Sequence, residues 1–337
     1  MQKLVYGIGG FVALLLLIGL ALPAQTRVVV SADIDAPPAT VFALVNDMRR
    51  INLWYPAAGS DPNARVVFSG PPRGPGSTVT WDGAIAGSGT QTITESRPYE
   101  YVETLINQGE DAETRSWFLL TPGTGDTQVQ WGFEHDYGLN VIGRYFGLMV
   151  ANVIRRDYEI NIENLKALAE SLPRTDFADI DIEALVIEST PIAYKTTTSI
   201  PDPGATSDAM GKALFEVLGF IDRHGLTESG APMSISRGFT GTELRFDTAI
   251  PVSGISDDTP REDRGVRIGK TYGGNVIRVR HTGPYRTLAQ THRKIAAYLA
   301  AHGIETSGGS WESYVSDPTK VDEDELQTWV YYPVRSM

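Results

Sequence analysis

The stretch His224-Gly225-Leu226-Thr227-Glu228-Ser229-Gly230 returns later in the chain as His302-Gly303-Ile304-Glu305-Thr306-Ser307-Gly308. Each copy follows a strand-like segment and a segment with the apolar spacing of a helix. Each copy also precedes two β segments, the second of which ends in Pro-Val. The C-terminal half therefore contains one strand-helix-strand-strand unit twice. Two such units side by side predict a sheet backed by two helices, with a groove at the pseudo-twofold axis.

The two copies differ in chemistry at one strand position. Met233-Ser234-Ile235-Ser236 in the first copy corresponds to Trp311-Glu312-Ser313-Tyr314 in the second, so a serine is replaced by an acid. On a strand, Glu312 and Tyr314 point to one side of the sheet and Trp311 points to the other. A carboxylate beside aromatic rings can hold an organic cation, with a cation–π attraction of about 1–2 kcal/mol. The position is therefore a candidate ligand site.

Composition limits the classes of function. The chain has 337 residues, enough for two domains with separate cores. Its net charge of −12 disfavours nucleic acid as a partner, because phosphate binding needs a basic face. The absence of cysteine excludes disulfides, thiolate metal ligands and a cysteine nucleophile. The five histidines show no metal-ligand spacing, so neither a metal nor another cofactor is predicted.

Residues 1–25 contain an uncharged apolar run that begins at Leu4, after Lys3, and ends at Ala24. A helix needs about 20 such residues to cross a bilayer, so the run predicts a transmembrane helix that anchors the protein. Leu22 stands where a signal-peptide cleavage site prefers a small residue, which favours an uncleaved anchor over a cleaved signal. The positive start then places the domains in the periplasm or outside the cell. A cleaved N-terminus would make the protein secreted.

Residues 26–172 have the pattern of a strand, a short helix, several strands separated by Gly, Pro and Asp turns, and a long amphipathic helix. That order predicts an α+β domain in which a curved antiparallel sheet grips the last helix. Residues 31–42, Trp54 and residues 161–168 resemble the START-like (SRPBCC) polyketide cyclase/dehydrase and lipid-transport superfamily. The resemblance implies the helix-grip fold and leaves the ligand open.

Large aromatic residues of this domain are candidates for the lining of a second cavity, between the sheet and the helix: Trp54, Trp81, Trp117 and Trp131. Polar groups that could accompany them are Glu103, His135 and Asp157. The alternative is that the aromatic side chains simply fill this space. No acid–base pair can be assigned from the sequence.

An acidic linker at residues 173–183 precedes residues 184–337, which contain the repeats. The run His281-Thr282-Gly283-Pro284-Tyr285, the segment Trp311-Glu312-Ser313-Tyr314 and residues 325–334 resemble the GyrI-like family. That family includes effector-binding domains of multidrug-responsive transcription regulators, and the resemblance implies a small-molecule groove with a central acid, at Glu312. Such regulators carry a DNA-binding segment before this domain. This sequence shows none, which argues against a regulatory role.

Glu312 is the first candidate for ligand binding. The alternative interpretation is a solvated glutamate, or one paired with Arg278 or Arg280. His281 precedes a turn and is interpreted as a structural hydrogen bonder. The other candidates are the aromatic residues of both repeats: Tyr194, Tyr285, Trp311, Tyr314, Trp329 and Tyr331.

The leading hypothesis is a membrane-anchored protein that binds hydrophobic or cationic small organic molecules. A second hypothesis is a hydrolase or cyclase of reactive small molecules, in which Glu312 acts as general acid or base and Tyr285 or Tyr314 orients the substrate. A third is a non-catalytic partner of another envelope protein.

Overall fold

The computed structural model describes residues 2–59, 61–108 and 113–336. The chain forms two compact units, the first built mainly from Met1–Asp176 and the second from Phe177–Leu299 and Ile304–Met337. The first contains a seven-stranded sheet and the second a sheet of ten strands, and all strand pairs in both are antiparallel. The protein is therefore α+β, with one antiparallel sheet in each unit.

The predicted transmembrane helix is wrong. The chain begins with helix α1 (Gln2–Ala21), but no helix among the described residues is both long and apolar enough to cross a membrane. The first half of α1 contains Lys3 and three glycines, so the strongly apolar part starts only at Phe11. About 11 residues of helix rise about 16 Å, roughly half of the hydrocarbon core. Within the first unit, α1 contacts a later helix, where the Tyr145 hydroxyl donates a 2.7 Å hydrogen bond to the carbonyl of Leu15.

The sheet of the first unit is an antiparallel meander, and the first strand along the chain lies at one edge of it, beside the last. Its strand order is β1-β7-β6-β5-β4-β3-β2. Its strands are β1 (Gln25–Ile34), β2 (Arg65–Ser69), β3 (Thr78–Gly83), β4 (Gly87–Arg97), β5 (Tyr101–Asn107), β6 (Glu113–Pro122) and β7 (Thr127–Asp136). Alternating buried and exposed positions along β1 and β7 give the sheet one core face.

Three helices of this unit cover that face: α2 (Pro38–Val45), α3 (Met48–Trp54) and α4 (Val141–Glu170). Asp47 caps α3 by accepting the Arg49 backbone N–H, and Asn140 caps α4 by accepting that of Gly143. The C-terminal part of α4 buries Tyr158, Ile162 and Leu165 in the core of the sheet. The long helix is thus held in the concavity of the sheet, as the sequence predicted.

The strands of the second unit lie in the order β13-β14-β9-β12-β11-β16-β17-β15-β8, and β10 pairs with β12. Their bounds are β8 (Ile182–Ile187), β9 (Pro191–Ser199), β10 (Thr227–Glu228), β11 (Met233–Phe239), β12 (Leu244–Ser253), β13 (Glu262–Asp263), β14 (Val266–Lys270), β15 (Gly274–Thr282), β16 (Trp311–Tyr314) and β17 (Gln327–Pro333).

The duplication is visible in this strand order. The first repeat contributes β9-β12-β11 and the second contributes β16-β17-β15, so the two triplets mirror each other across the β11–β16 pair. Each repeat adds one helix, α5 (Pro203–Arg223) or α6 (Leu288–His302), and a 3-10 turn at Tyr285–Thr287 leads into α6. Both helices pack on the same sheet face, where Val217 of α5 meets Ile250 and Ile295 of α6 meets Val330.

Candidate functional site

Glu312 lies on the pseudo-twofold axis of the second unit. In the antiparallel pair of β11 and β16, Ser234 is directly opposite Glu312, flanked by the pair Met233–Ser313 and the pair Ile235–Trp311. The two repeat-equivalent positions are therefore cross-strand neighbours. Residues directly opposite in an antiparallel pair have Cβ atoms about 4.5–5.5 Å apart. The serine-to-acid difference between the repeats thus places one carboxylate at the centre of the sheet.

Both carboxylate oxygens of Glu312 accept hydrogen bonds. Oε1 is 2.8 Å from Nε2 of His292 on α6, and Oε2 accepts a hydrogen bond from the Tyr314 hydroxyl. Because a carboxylate oxygen only accepts, Nε2 of His292 carries a proton. The other ring nitrogen, Nδ1, lies 2.8 Å from the hydroxyl of Tyr332 on β17. Helix α6 and two strands thus fix the orientation of the acid.

The pKa of the Glu312 carboxyl lies below its ordinary value of 4.5. Burial alone would raise this pKa, but the hydrogen bond and charge of His292 and the Tyr314 hydrogen bond outweigh burial. Burial and the neighbouring Glu312 charge raise the pKa of Tyr314 well above 10.0. At neutral pH the site therefore contains an ionised carboxylate beside a neutral phenol.

Glu312 lies in the wall of a cavity of about 900 Å³ within the second unit. Residues of both repeats line it, with Ser207, Met210 and Leu214 from α5. The remaining lining residues are Pro201, Asp202, Pro203, Thr206, Gly211, Ala231, Pro232, Leu244, Tyr285, Arg286, Leu288, Tyr314, Val315, Ser316, Asp317 and Pro318. Ligand pockets typically enclose about 300–1,000 Å³. The cavity is therefore large enough for a drug-sized organic molecule.

Two predicted aromatic residues line this cavity with the acid. The rings of Tyr285 and Tyr314 meet edge to face, with centroids 5.3 Å apart and an interplanar angle of 79°. Tyr285 precedes α6 at the 3-10 turn, after Gly283-Pro284, and burial followed by the charge of Asp317 raises its pKa. The structure thus brings Glu312, Tyr285 and Tyr314 together.

Four other predicted residues do not line the cavity: Tyr194, Trp311, Trp329 and Tyr331. The alternation of side chains places them on the sheet face opposite the helices. There Trp311 stacks on Tyr331, with ring centroids 4.7 Å apart, and the guanidinium of Arg278 lies 4.0 Å from the centroid of Trp329. Arg278 pairs with Glu183, so it is not the partner of Glu312.

His281 lies on the helix-facing side and is buried. Its Nδ1 is 2.8 Å from the Thr291 hydroxyl, and its Nε2 faces the carbonyl of Pro284 at 3.4 Å. These contacts connect β15 to the turn that starts the helical segment. They agree with the interpretation of His281 as a structural hydrogen bonder.

In the first unit, the predicted cavity aromatics are packed against one another. Trp131 is 1% exposed and stacks on Tyr158 with ring centroids 3.6 Å apart, and Trp54 meets it edge to face at 5.3 Å. Trp131 Nε1 donates a 2.9 Å hydrogen bond to the hydroxyl of Ser116. Trp81 belongs to the same buried core. Here the rings fill the space between the sheet and the helices.

The remaining candidates of this unit are bound to neighbouring side chains, and Asp157 lies at the border of the aromatic core, because Tyr55 packs on Trp131. Trp117 is only half-buried, on the other sheet face, with the Arg27 guanidinium 5.3 Å from its ring centroid. Glu103 is bound by Arg115 and Tyr101. The other two are His135, which hydrogen bonds to Thr114, and Asp157, which interacts with Tyr55.

Two family models match the chain, one in each unit. Residues 25–170 match the family described as polyketide cyclase / dehydrase and lipid transport. Residues 187–335 match the GyrI-like small molecule binding domain. The chain joins a polyketide cyclase/dehydrase-type domain to a GyrI-like domain. Both families, and their order along the chain, agree with the resemblances found in the sequence.

Several solved structures are similar to part of the chain at low identity. The C-terminal domain of EcmrR shares 15% identity at a TM-score of 0.40, covering 47% of this chain and 99% of that chain. An uncharacterized conserved protein from Listeria innocua shares 15% identity at a TM-score of 0.35, covering 46% and 92%. A hydrolase from Listeria innocua shares 13% at 0.34, covering 46% and 91%. No curated protein matches the chain.

The cavity of the GyrI-like domain is chemically polarised. The offset between the repeats is 302 minus 224, or 78 positions, which aligns α5 with α6. The polar residues at the site come from the second repeat, and their counterparts in the first are small or apolar. The pairs are Ser207 and Tyr285, Leu214 and His292, Ser234 and Glu312, and Ser236 and Tyr314. The hydrogen-bonding groups around Glu312 thus come from the second repeat, whereas the first repeat supplies a mainly apolar wall, with the carboxylate of Asp202 capping α5 at its edge.

The sequence analysis missed His292 and Tyr332. His292 lies within an amphipathic helix, where a single polar residue is unremarkable in one sequence. The comparison between repeats could have found it, because its counterpart is Leu214, a residue of the apolar wall. Tyr332 comes from the strand beside β16, and only the strand pairing reveals its proximity.

The lowered pKa of Glu312 predicts an acid-sensitive contribution to stability. Because the folded pKa is depressed, this contribution is fully present above about pH 4.5 and is lost as the pH falls through the folded value. Urea unfolding at a series of pH values should show a loss below pH 4.5 in the wild type that Glu312→Gln lacks. Glu228→Gln, at an exposed position on β10, should behave like the wild type. Equal acid profiles for the wild type and Glu312→Gln would contradict the assigned hydrogen bonds.

Proposed function

We propose that the GyrI-like domain binds amphipathic organic cations, with the cationic group beside Glu312 and the apolar body against the first repeat. The observation that carries the proposal is an ionised carboxylate in the cavity wall beside two tyrosine rings. A charge pair and ring faces together favour a large organic cation with little hydration over a small inorganic one. The two-domain protein would then capture such molecules.

The charges around the cavity support a cationic ligand. The carboxylates among its lining residues are Glu312, Asp202 and Asp317, whereas the one guanidinium, that of Arg286, is paired with Glu323. Hydrogen bonds from Thr319 and Lys320 lower the pKa of Asp317 to about 2, so it stays charged at neutral pH. Arg286 and Asp317 are each paired, with Glu323 and Lys320, and the lining groups counted with these partners still carry a negative balance, which favours positive charge.

The apolar wall supports an amphipathic ligand. Met210, Leu214 and Leu244 of the first repeat line the cavity with three prolines. Burial of apolar area contributes about 25 cal/mol per Å² to binding, before the costs of association are subtracted. An aromatic or branched aliphatic body would therefore add affinity against this wall.

The state of Glu312 disfavours the alternative of a hydrolase or cyclase. A general acid must hold a proton near neutral pH, and the pKa of Glu312 is lowered instead of raised. As a general base it would be weakened by the same lowered pKa, and His292 and Tyr314 already donate one hydrogen bond to each of its oxygens. Both features suit a fixed negative charge that holds a ligand.

The proposal is tested by calorimetric titration of the full chain at pH 7.5. The probes are 2-naphthylmethyl-trimethylammonium and its neutral carbon isostere. Glu312→Gln should weaken binding of the cation by about 10- to 30-fold, since the attraction between two unit charges at a partly exposed site is on the order of 1.4–2 kcal/mol, and it should leave the neutral isostere unchanged. Glu228→Gln is the matched control and should bind like the wild type. No binding of the cation, or equal affinity in Glu312→Gln, would remove the proposal.

Location outside the cytoplasm stays a prediction. Proteolysis of intact cells, with and without permeabilisation, distinguishes the two sides of the membrane. Protection that persists when only the outer envelope is opened, and that is lost when the cytoplasmic membrane is permeabilised, would contradict a location outside the cytoplasm.

A further inference from the structure

His292 links Glu312 to the hydroxyl of Tyr332, and that hydroxyl can exchange the roles of donor and acceptor in its hydrogen bond with His292. Its Nε2–H donates to Glu312 Oε1, and its Nδ1 faces the Tyr332 hydroxyl, at 2.8 Å in each case. A tyrosine hydroxyl can donate or accept. With neutral imidazole, the hydroxyl donates to Nδ1, and with imidazolium it accepts from Nδ1. Both charge states of His292 are therefore compatible with the same heavy-atom positions.

The two charge states give the cavity different net charges. With neutral imidazole, the Glu312–His292 pair carries one negative charge. With imidazolium, the pair is neutral. Both side chains remain about one-quarter to one-fifth exposed, at 25% for His292 and 21% for Glu312, so protons can reach them. Histidine is the side chain that changes charge between about pH 5 and 8.

We propose that His292 is a specificity-determining residue that sets the charge of ligand the GyrI-like domain accepts. This inference rests on the proposed function and identifies the residue that controls the charge preference of the site. With neutral His292 the site prefers organic cations. With protonated His292 the preference is lost, and uncharged amphipathic molecules of the same shape bind equally well.

Other titratable groups surround the pair. Glu312 and Tyr314 lie on β16, Tyr332 on β17 and His281 on β15, while Asp317 and Arg286 belong to the cavity lining. The pKa of Tyr314 and of Tyr332 is raised, in each case first by burial, so both phenols stay neutral in this pH range. His281 is the other imidazole near Glu312, and it contributes to the charge around it. A test must therefore separate His292 from His281.

His292→Gln makes that separation. The amide nitrogen of glutamine can donate to Glu312, and its amide oxygen can accept from Tyr332, so the hydrogen bonds are retained without a titratable group. His281 is unchanged in this variant. His135→Gln, in the other domain, removes an imidazole distant in sequence from the site and is the matched control.

The experiment is titration of the full chain with 2-naphthylmethyl-trimethylammonium and its neutral carbon isostere at pH 5.5, 6.5, 7.5 and 8.5. A quaternary ammonium does not titrate, so any pH dependence belongs to the protein. The wild type and His135→Gln should bind the cation on the order of tenfold more weakly at pH 5.5 than at pH 8.5, because a nearby positive charge opposes it. His292→Gln should bind it equally at all four values, and the neutral isostere should show no dependence on pH.

Two results would overturn the inference while leaving the proposed function intact: pH-independent binding of the cation to the wild type, or an unchanged pH profile in His292→Gln. The second result would assign the pH dependence to a group other than His292. No binding of the cation at any pH would instead remove the proposed function together with this inference. Loss of cation binding by His292→Gln at every pH, with circular dichroism unchanged, would reduce His292 to a purely structural role.

Discussion

Trp131→Ala is expected to lower the free energy of unfolding of the polyketide cyclase/dehydrase-type domain by about 3–5 kcal/mol. The ring of Trp131 is buried between Tyr158, Phe118 and Trp54, with centroid distances of 3.6 to 5.3 Å. Truncation removes these contacts and leaves a cavity that the neighbouring strands cannot close. It also removes the donor to Ser116 in the buried interior.

Trp117→Ala is the matched control, because it removes the same side chain from the neighbouring strand on the other face of the sheet. Trp117 is half-buried and rests beside Arg27 and Gly132, so its loss should cost about 1–2 kcal/mol. Urea unfolding of the full chain measures both values, and hydrogen exchange assigns the loss to residues 25–170.

The comparison decides whether this domain is filled or open. If the space between sheet and helix were an empty ligand cavity, Trp131 would be part of a solvated wall and its truncation would cost no more than that of Trp117. Equal costs for the two variants would therefore contradict a packed interior. A large difference would show that the aromatic side chains fill the space between the sheet and the helix.

Much of the fold could be predicted from the spacing of apolar residues and turn residues, because that spacing reflects which side chains are buried in each helix or strand. The Gly, Pro and Asp turns between the strand segments and the helical spacing in α4 predicted the sheet and the helix it grips. The predicted transmembrane helix at residues 1–25 is wrong because the length of an uncharged run does not by itself make a helix apolar enough to cross a membrane. Lys3 and the early glycines shorten the strongly apolar part of that helix.

The candidate site could be predicted only in part. Glu312 was identifiable because its counterpart Ser234 differs in chemistry, and strand alternation correctly grouped it with Tyr314. The sequence could not give the face on which the other aromatics lie relative to the helices. It also could not give the contact with His292, which depends on how α6 packs on the sheet. Alternation predicts which residues share a face, but only tertiary packing determines which face forms the cavity.

Ser234→Glu is expected to destabilise the GyrI-like domain by about 2–4 kcal/mol at pH 7.5, relative to Ser234→Gln. The new carboxylate would lie directly opposite Glu312 in the β11–β16 pair, where like charges are unfavourable. The new carboxylate would also compete with Glu312 for one donor, because the Tyr314 hydroxyl interacts with both positions. The glutamine of Ser234→Gln has nearly the same shape as the glutamate of Ser234→Glu but no charge. The difference in unfolding free energy between the two variants therefore measures the repulsion between the carboxylates.

The pH dependence of this penalty has a definite sign. Two opposed carboxylates share one proton more readily in the folded state than in the unfolded chain, so the folded pKa of the pair is raised. The penalty is then absent below the unfolded glutamate pKa of about 4.3 and grows as the pH rises above it. Urea unfolding of both variants from pH 4 to pH 8 measures the difference, and equal stability at pH 7.5 would show that solvent separates the two positions.

The pseudo-twofold axis imposes this restriction because the duplication places equivalent strand positions of the two repeats directly opposite each other. Any charge placed there in both repeats would face its own copy across the β11–β16 pair. A central acid is therefore compatible with the fold only when the repeats differ at this position. The same divergence that permits Glu312 leaves the first repeat free to supply an apolar wall, where Leu214 stands in place of His292. The difference between the two walls of the cavity thus accompanies a sheet axis at which one negative charge is more stable than two.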